Sequence, residues 1–116
     1  MDAMISISPK QLQTDLKSGQ PPIVIDVRRE PAFLAAPDML SGALRRDPAS
    51  IEAWAGDLPS AAYVVVYCVH GHEVSQNAAR ALAVRGFQAR YVEGGLEAWR
   101  SAGGALMPKA AGAPTR

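Results

Sequence analysis

Two short stretches, IVIDV (23–27) and YVVVY (63–67), constrain this chain more than anything else in it. Each is apolar at nearly every position, so neither offers a polar face to water. A continuous β-branched run of this length fits a strand covered on both faces, as in a parallel sheet. Segments of helical period separate such runs. SPKQ (8–11) is a Ser-x-x-Gln capping box with Pro9 at the first helical position. Leu12 and Leu16 then share a face, and Gly19 with Pro21-Pro22 ends the helix. Asp47-Pro48 opens a second helix, with Ile51, Trp54, Ala55 and Leu58 at i, i+3, i+4 and i+7. Val74, Ala78, Ala81 and Leu82 predict a third, closed by Gly86 in the left-handed position. ARYV (89–92) reads as another strand, and Leu96, Ala98, Trp99 and Ala102 as a closing helix. Alternating strand and helix predicts an α/β domain with right-handed crossovers and a central parallel sheet.

The 116 residues suit a single domain, predicted over 5–103. The Gly-, Ala- and Pro-rich stretch 104–116 has no periodicity and is expected to be an unstructured tail. With 12 Lys+Arg against 11 Asp+Glu, the chain has no electrostatic footprint for nucleic acid or an anionic membrane. The longest apolar run is about half of a membrane span. The start, MDAMISISPKQ, lacks the long apolar core of a signal peptide. A single cysteine makes no internal disulfide, so the expectation is a soluble cytoplasmic protein.

In open α/β sheets, ligands bind beyond the carboxyl ends of the strands. Asp26 and Arg28 follow one doubly buried strand and Cys68 follows the other, which places both on one edge. A free cysteine closing an apolar strand is most often plain core. Here the chain turns abruptly polar after Cys68, Gly71 follows, and a helix starts around 73–75. Unpaired N–H groups at that helix start, with others from a loop curled about the sulfur, would favour negative charge on it. Gly71 permits a backbone that a β-carbon would hinder. The pattern points to a nucleophilic thiol, for which the reactive form is the thiolate.

The stretches IDVR (25–28), SGAL (41–44), VVVYCVHG (64–71) and YVEGGLEAW (91–99), in this order and spacing, resemble the rhodanese (sulfurtransferase) family. The resemblance implies a five-stranded parallel β-sheet flanked by helices on both faces. It implies transfer of a sulfane sulfur from a donor such as thiosulfate to cyanide or a thiol, carried as a Cys68 persulfide. By the same resemblance, the backbone of Val69, His70, Gly71, His72, Glu73 and Val74 cradles the sulfur, and Arg28 helps hold an anionic donor. No cofactor or metal is implied. The partners are a small sulfur-donor anion and a cyanide or thiol acceptor, or a protein donor or acceptor of persulfide sulfur.

The loop departs from many active relatives in carrying Glu73 where a basic or hydroxyl residue is common. A carboxylate about 4 Å from the sulfur would oppose a second negative charge by roughly 1 kcal/mol in water and about 4 kcal/mol at an effective dielectric of about 20. Pointing into solvent, it is only a favourable acid in the first turn of a helix. His70 and His72 either add positive charge and move protons or are inert loop residues. Their one-residue spacing does not suit a tetrahedral metal site. A cysteine phosphatase on this fold needs an arginine six residues after the nucleophile, and Val74 stands there. The other alternative is a non-enzymatic module or persulfide carrier with little activity on thiosulfate. Arg45-Arg46 are read as solvated charges with the pocket mouth as alternative, and Trp54 and Trp99 as core.

Overall fold

The two continuous apolar runs take the centre of a five-stranded sheet. β2 (Ile23–Asp26) and β5 (Tyr63–Tyr67) pair in parallel, Ile23 opposite Val64 through Asp26 opposite Tyr67. The computed structural model describes residues 5–109. Its remaining strands are β1 (Ser6–Ile7), β3 (Asp38–Leu40), β4 (Leu44–Arg45), β6 (Gln88–Val92) and β7 (Leu106–Pro108). The helices are α1 (Pro9–Leu16), α2 (Glu30–Ala35), α3 (Ile51–Ala55), α4 (Glu73–Val84) and α5 (Gly95–Ser101). The all-parallel sheet runs β1-β6-β5-β2-β4, and β3 and β7 form a separate antiparallel pair. The predicted α/β architecture is the observed one.

Strand period two divides the core. Val24, Val65, Tyr67 and Val92 face Leu12 of α1 and Leu96 and Trp99 of α5. Ile25, Val64, Val66 and Ala89 face Trp54 of α3 and Ala78, Ala79 and Leu82 of α4. Burying each large aliphatic side chain contributes about 1.5–3 kcal/mol, so both helix layers hold the central strands. Both tryptophans are core, as read. Their indole N–H groups are satisfied by the carbonyls of Asp47 (2.8 Å) and Ala105 (2.9 Å).

Local signals set the element ends. The Ser8 hydroxyl caps α1 by accepting from the Gln11 amide at 3.1 Å, but the Gln11 side chain turns to Asp15 instead of closing the box. The segment after Asp47 opens as a single 3-10 turn, Pro48–Ser50, before α3. α4 ends at Arg85, followed by Gly86 at φ +93.

The expected tail starts too early for residues 104–109. The Gly104 amide donates to Trp99 O, while the Ala105 carbonyl accepts from the Trp99 indole and the Ser41 amide. β7 then pairs with β3, Met39 opposite Met107. Low periodicity hid a strand that is held by backbone pairing. Residues 110–116 lie outside the described residues. Among the described residues no helix is long and apolar enough to cross a membrane.

Candidate active site

Cys68 directly follows β5 at the carboxyl edge of the sheet. Its side chain is 7% exposed, and Sγ lies 3.1 Å from the hydroxyl of Ser75, which is fully buried on the first turn of α4. The thiol donates to that hydroxyl; toward a sulfur anion the same hydroxyl can donate instead.

The loop between them is clamped from behind. The first amides of α5 bind its carbonyls: Leu96 N donates to Cys68 O at 2.9 Å and Glu97 N to Val69 O at 3.1 Å. Gln76 binds two more, its side-chain amide donating to Gly71 O (3.0 Å) and its backbone amide to His72 O (3.1 Å). In a trans peptide the N–H points opposite the C=O. Fixing four carbonyls therefore turns the amides of Val69, His70, His72 and Glu73 away from α5 and Gln76. Among the described residues, none of the backbone N–H groups from Val69 to Ser75 has an acceptor. The four amides turned outward, on a loop that follows Cys68 and leads into a helix start, are suited to a negative charge.

Two glycines make the clamp possible. Gly71 has φ +73, and a β-carbon there would come within 2.7 Å of Val92 O and Gly94 N. Gly95 has φ +64, and its β-carbon would meet the Cys68 and Val69 carbonyls at 2.6 and 2.5 Å. The turn between β6 and α5 and the cysteine loop are thus packed backbone to backbone.

A protein-family comparison places residues 8–102 in the rhodanese-like domain model. The chain belongs to the rhodanese-like family. Among curated proteins it is 33% identical over 96 residues to the thiosulfate sulfurtransferase GlpE of Pseudomonas fluorescens, covering 82% of this chain and 84% of that one. It is 34% identical, with the same coverage, to the protein of that name from Pseudomonas entomophila. Among solved structures it superposes on a protein from Lactobacillus plantarum at TM-score 0.77 and 27% identity, over 88% of this chain and 87% of that one. It also matches a rhodanese-related protein from Thermoplasma volcanium at TM-score 0.74, with 22% identity and 88% and 96% coverage.

In this rhodanese-like domain Arg28 is not a free cation at the mouth of the cysteine loop. It is 1% exposed and committed to Asp26 by contacts of 3.0 Å from Nε and 2.6 Å from an η-nitrogen, which also donates to Asp38 O. Tyr67 completes the network. Its hydroxyl donates to Asp26 at 2.9 Å and accepts from the Leu40 amide at 3.0 Å. Burial, then the Asp26 charge, push the Tyr67 phenol far above the ordinary tyrosine range. An Asp–Arg pair two residues apart at a strand end holds β2, β3 and β5 together, so the Arg28 guanidinium is not free to hold a donor.

Glu73 is exposed at the first position of α4, which matches the solvent-facing reading and leaves its charge to be screened. His70 and His72 have ring centroids 5.9 Å apart and are exposed, while Val69 and Val74 are half-buried. Three residues escaped sequence reading. Ser75 is a polar residue on the apolar stripe of α4, one turn before Ala78 and Ala79, and that mismatch beside a cysteine was a usable signal. Gln76 carried no signal beyond following it. Arg45, read as a solvated charge, is 8% exposed and donates to the Arg28 carbonyl at 2.7 Å. Its edge-strand position suggests solvent, but it packs over the Phe33 ring of α2.

Proposed function

We propose that this domain transfers sulfane sulfur through Cys68. The observation that carries the reading is the set of acceptor-free amides on the loop that follows Cys68, four of them turned outward by clamped carbonyls. In the first half-reaction the Cys68 thiolate attacks the outer sulfur of thiosulfate. The sulfur–sulfur bond of the donor breaks, its electron pair leaves on sulfite, and Cys68 becomes a persulfide. In the second, cyanide or a thiolate attacks the terminal sulfur, forms thiocyanate or a new persulfide, and restores the Cys68 thiolate. Electrons balance within each displacement, and neither step needs a cofactor.

The amides of Val69, His70, Gly71, His72, Glu73 and Val74 would stabilise the negative terminal sulfur, as preorganised donors do for other developing anions. The Ser75 hydroxyl would add one side-chain donor. The curated relatives named thiosulfate sulfurtransferase support the choice of donor. A second reading, a protein-to-protein persulfide carrier, is favoured by Glu73 at the loop's end, whose charge weakly opposes a small dianion.

The test is intact mass after incubation with thiosulfate, followed by cyanide and a thiocyanate assay. A gain of one sulfur atom, removed by cyanide and absent in Cys68→Ser, is expected. No gain from thiosulfate but a gain from a protein persulfide selects the carrier. No gain from either donor overturns both.

A further inference from the structure

A cleft of about 420 Å³ opens at the same sheet edge, lined by Phe33, Trp54, Arg45 and Arg46. Charges of both signs surround it, but not every buried cation has a direct partner. Three cations surround the Phe33 ring: Arg28 Cζ at 5.3 Å, Arg45 Cζ at 5.0 Å and Lys109 Nζ at 4.2 Å from its centroid. Arg28 is neutralised by Asp26. Arg45 is not: its guanidinium gives one hydrogen bond, to a carbonyl, its buried Nε has no partner, and it makes no ion pair among the described residues. Lys109 donates to the Phe33 carbonyl, and its ammonium is held below the usual lysine range by burial and by Arg28. A buried cation without a counter-charge is costly, and an anion delivered by a ligand removes that cost.

The cleft also has a position relative to the sulfur. Arg45 and Tyr67 are both level with Asp26, on the strands to either side of β2. Two strand spacings separate them, about 10 Å, and Cys68 is the next residue. A second cleft shares Glu30 and Asp47 with the first and extends along α4 past Asn77 to Val74, in the first turn of the helix that follows the cysteine loop. Thiosulfate is too short to bridge that span. The exposed carboxylates of Glu30, Asp47 and Asp57 also line the Arg45 cleft and oppose a multiply charged anion. Leu34, exposed on the wall of the cleft, offers apolar surface to a methylene chain.

We propose that the Arg45 cleft binds the carboxylate of an elongated thiol acceptor, one carboxylate at a chain's length from the sulfur that meets Cys68. That the ligand is a thiol rests on the sulfur-transfer reading above; that the cleft takes a carboxylate does not.

Two measurements separate these. In the first, the sulfur-free protein is titrated with hexanoate while the indole N–H signal of Trp54 is followed by nuclear magnetic resonance. A saturable shift that hexanol does not produce, and that Arg45→Gln abolishes, is expected. In the second, kcat/KM is compared for ω-mercaptohexanoate and ω-mercaptohexanol as acceptors. The carboxylate should be favoured about tenfold, the size of one charge-assisted hydrogen bond, and Arg45→Gln should bring the ratio to about one. If Arg45→Gln does not fold, Arg45→Lys should lower the ratio by about threefold, because it keeps the charge and loses the planar fork. An unmoved Trp54 signal, a wild-type ratio near one, or a ratio that survives in Arg45→Gln overturns the proposal. A saturable Trp54 shift with no sulfur loading overturns the thiol assignment and keeps the carboxylate site.

Discussion

Asp26 and Cys68 end, or directly follow, neighbouring strands of one sheet, yet their surroundings are opposites. Around Asp26 the polar groups answer one another: the carboxylate meets Arg28 and the Tyr67 hydroxyl, and that hydroxyl takes the Leu40 amide. Around Cys68 the carbonyls are bound from behind and the amides from Val69 to Ser75 are left without acceptors. Satisfied buried polar networks rigidify a fold. Donors left unmatched on the loop after a free cysteine can accommodate added negative charge. The lesson concerns how to read charge at a strand end: Arg28, the obvious cation, is bound into the fold, and the unmatched donors are backbone amides.

The contrast breaks most visibly at Arg28. Arg28→Ala leaves a fully buried Asp26 without its cation and is expected to cost about 3–5 kcal/mol in chemical denaturation. Cys68→Ser, by comparison, should change stability by less than about 1 kcal/mol while removing sulfur transfer altogether. Equal losses of stability at the two positions would erase the distinction between the regions.

A smaller effect is expected at Ser75. Ser75→Ala keeps the helix and removes one hydroxyl from the sulfur, so kcat/KM for thiosulfate should fall by about tenfold, the scale of one hydrogen bond to a charged group. Stability should fall by about 1 kcal/mol at most. An unchanged rate with lost stability would move Ser75 into the same class as Tyr67.

The smallest effect belongs to Glu73. Its side chain is exposed, so Glu73→Gln should raise kcat/KM for thiosulfate by less than about threefold, and added salt should shrink the difference. A large, salt-insensitive gain would mean that the carboxylate faces the sulfur.

Much of this was legible in the sequence, for reasons that differ by element. β2 and β5 announced themselves because burial on both faces leaves almost no polar position, Asp26 being the exception. α4 did so through its apolar stripe, and Gly71 through the positive φ its loop requires. β1, β3, β4 and β7 are two or three residues long and are held by backbone pairing, which leaves almost no side-chain pattern. α2, with six residues, is too short for a period to stand out. The site divides in the same way. Cys68 and its loop could be found from local order, whereas the capture of Arg28 by Asp26 and Tyr67 and the burial of Arg45 depend on strands brought together from distant parts of the chain.

The acceptor-free amides are the centre of the account, and their response to sulfur tests it most directly. Backbone amide signals should be recorded before and after thiosulfate loading, with the added sulfur verified by mass. Several protons among residues 69–75 are expected to move downfield on loading, while those of Asp26 to Arg28 stay in place. A loaded Cys68 with the loop amides unmoved would contradict it.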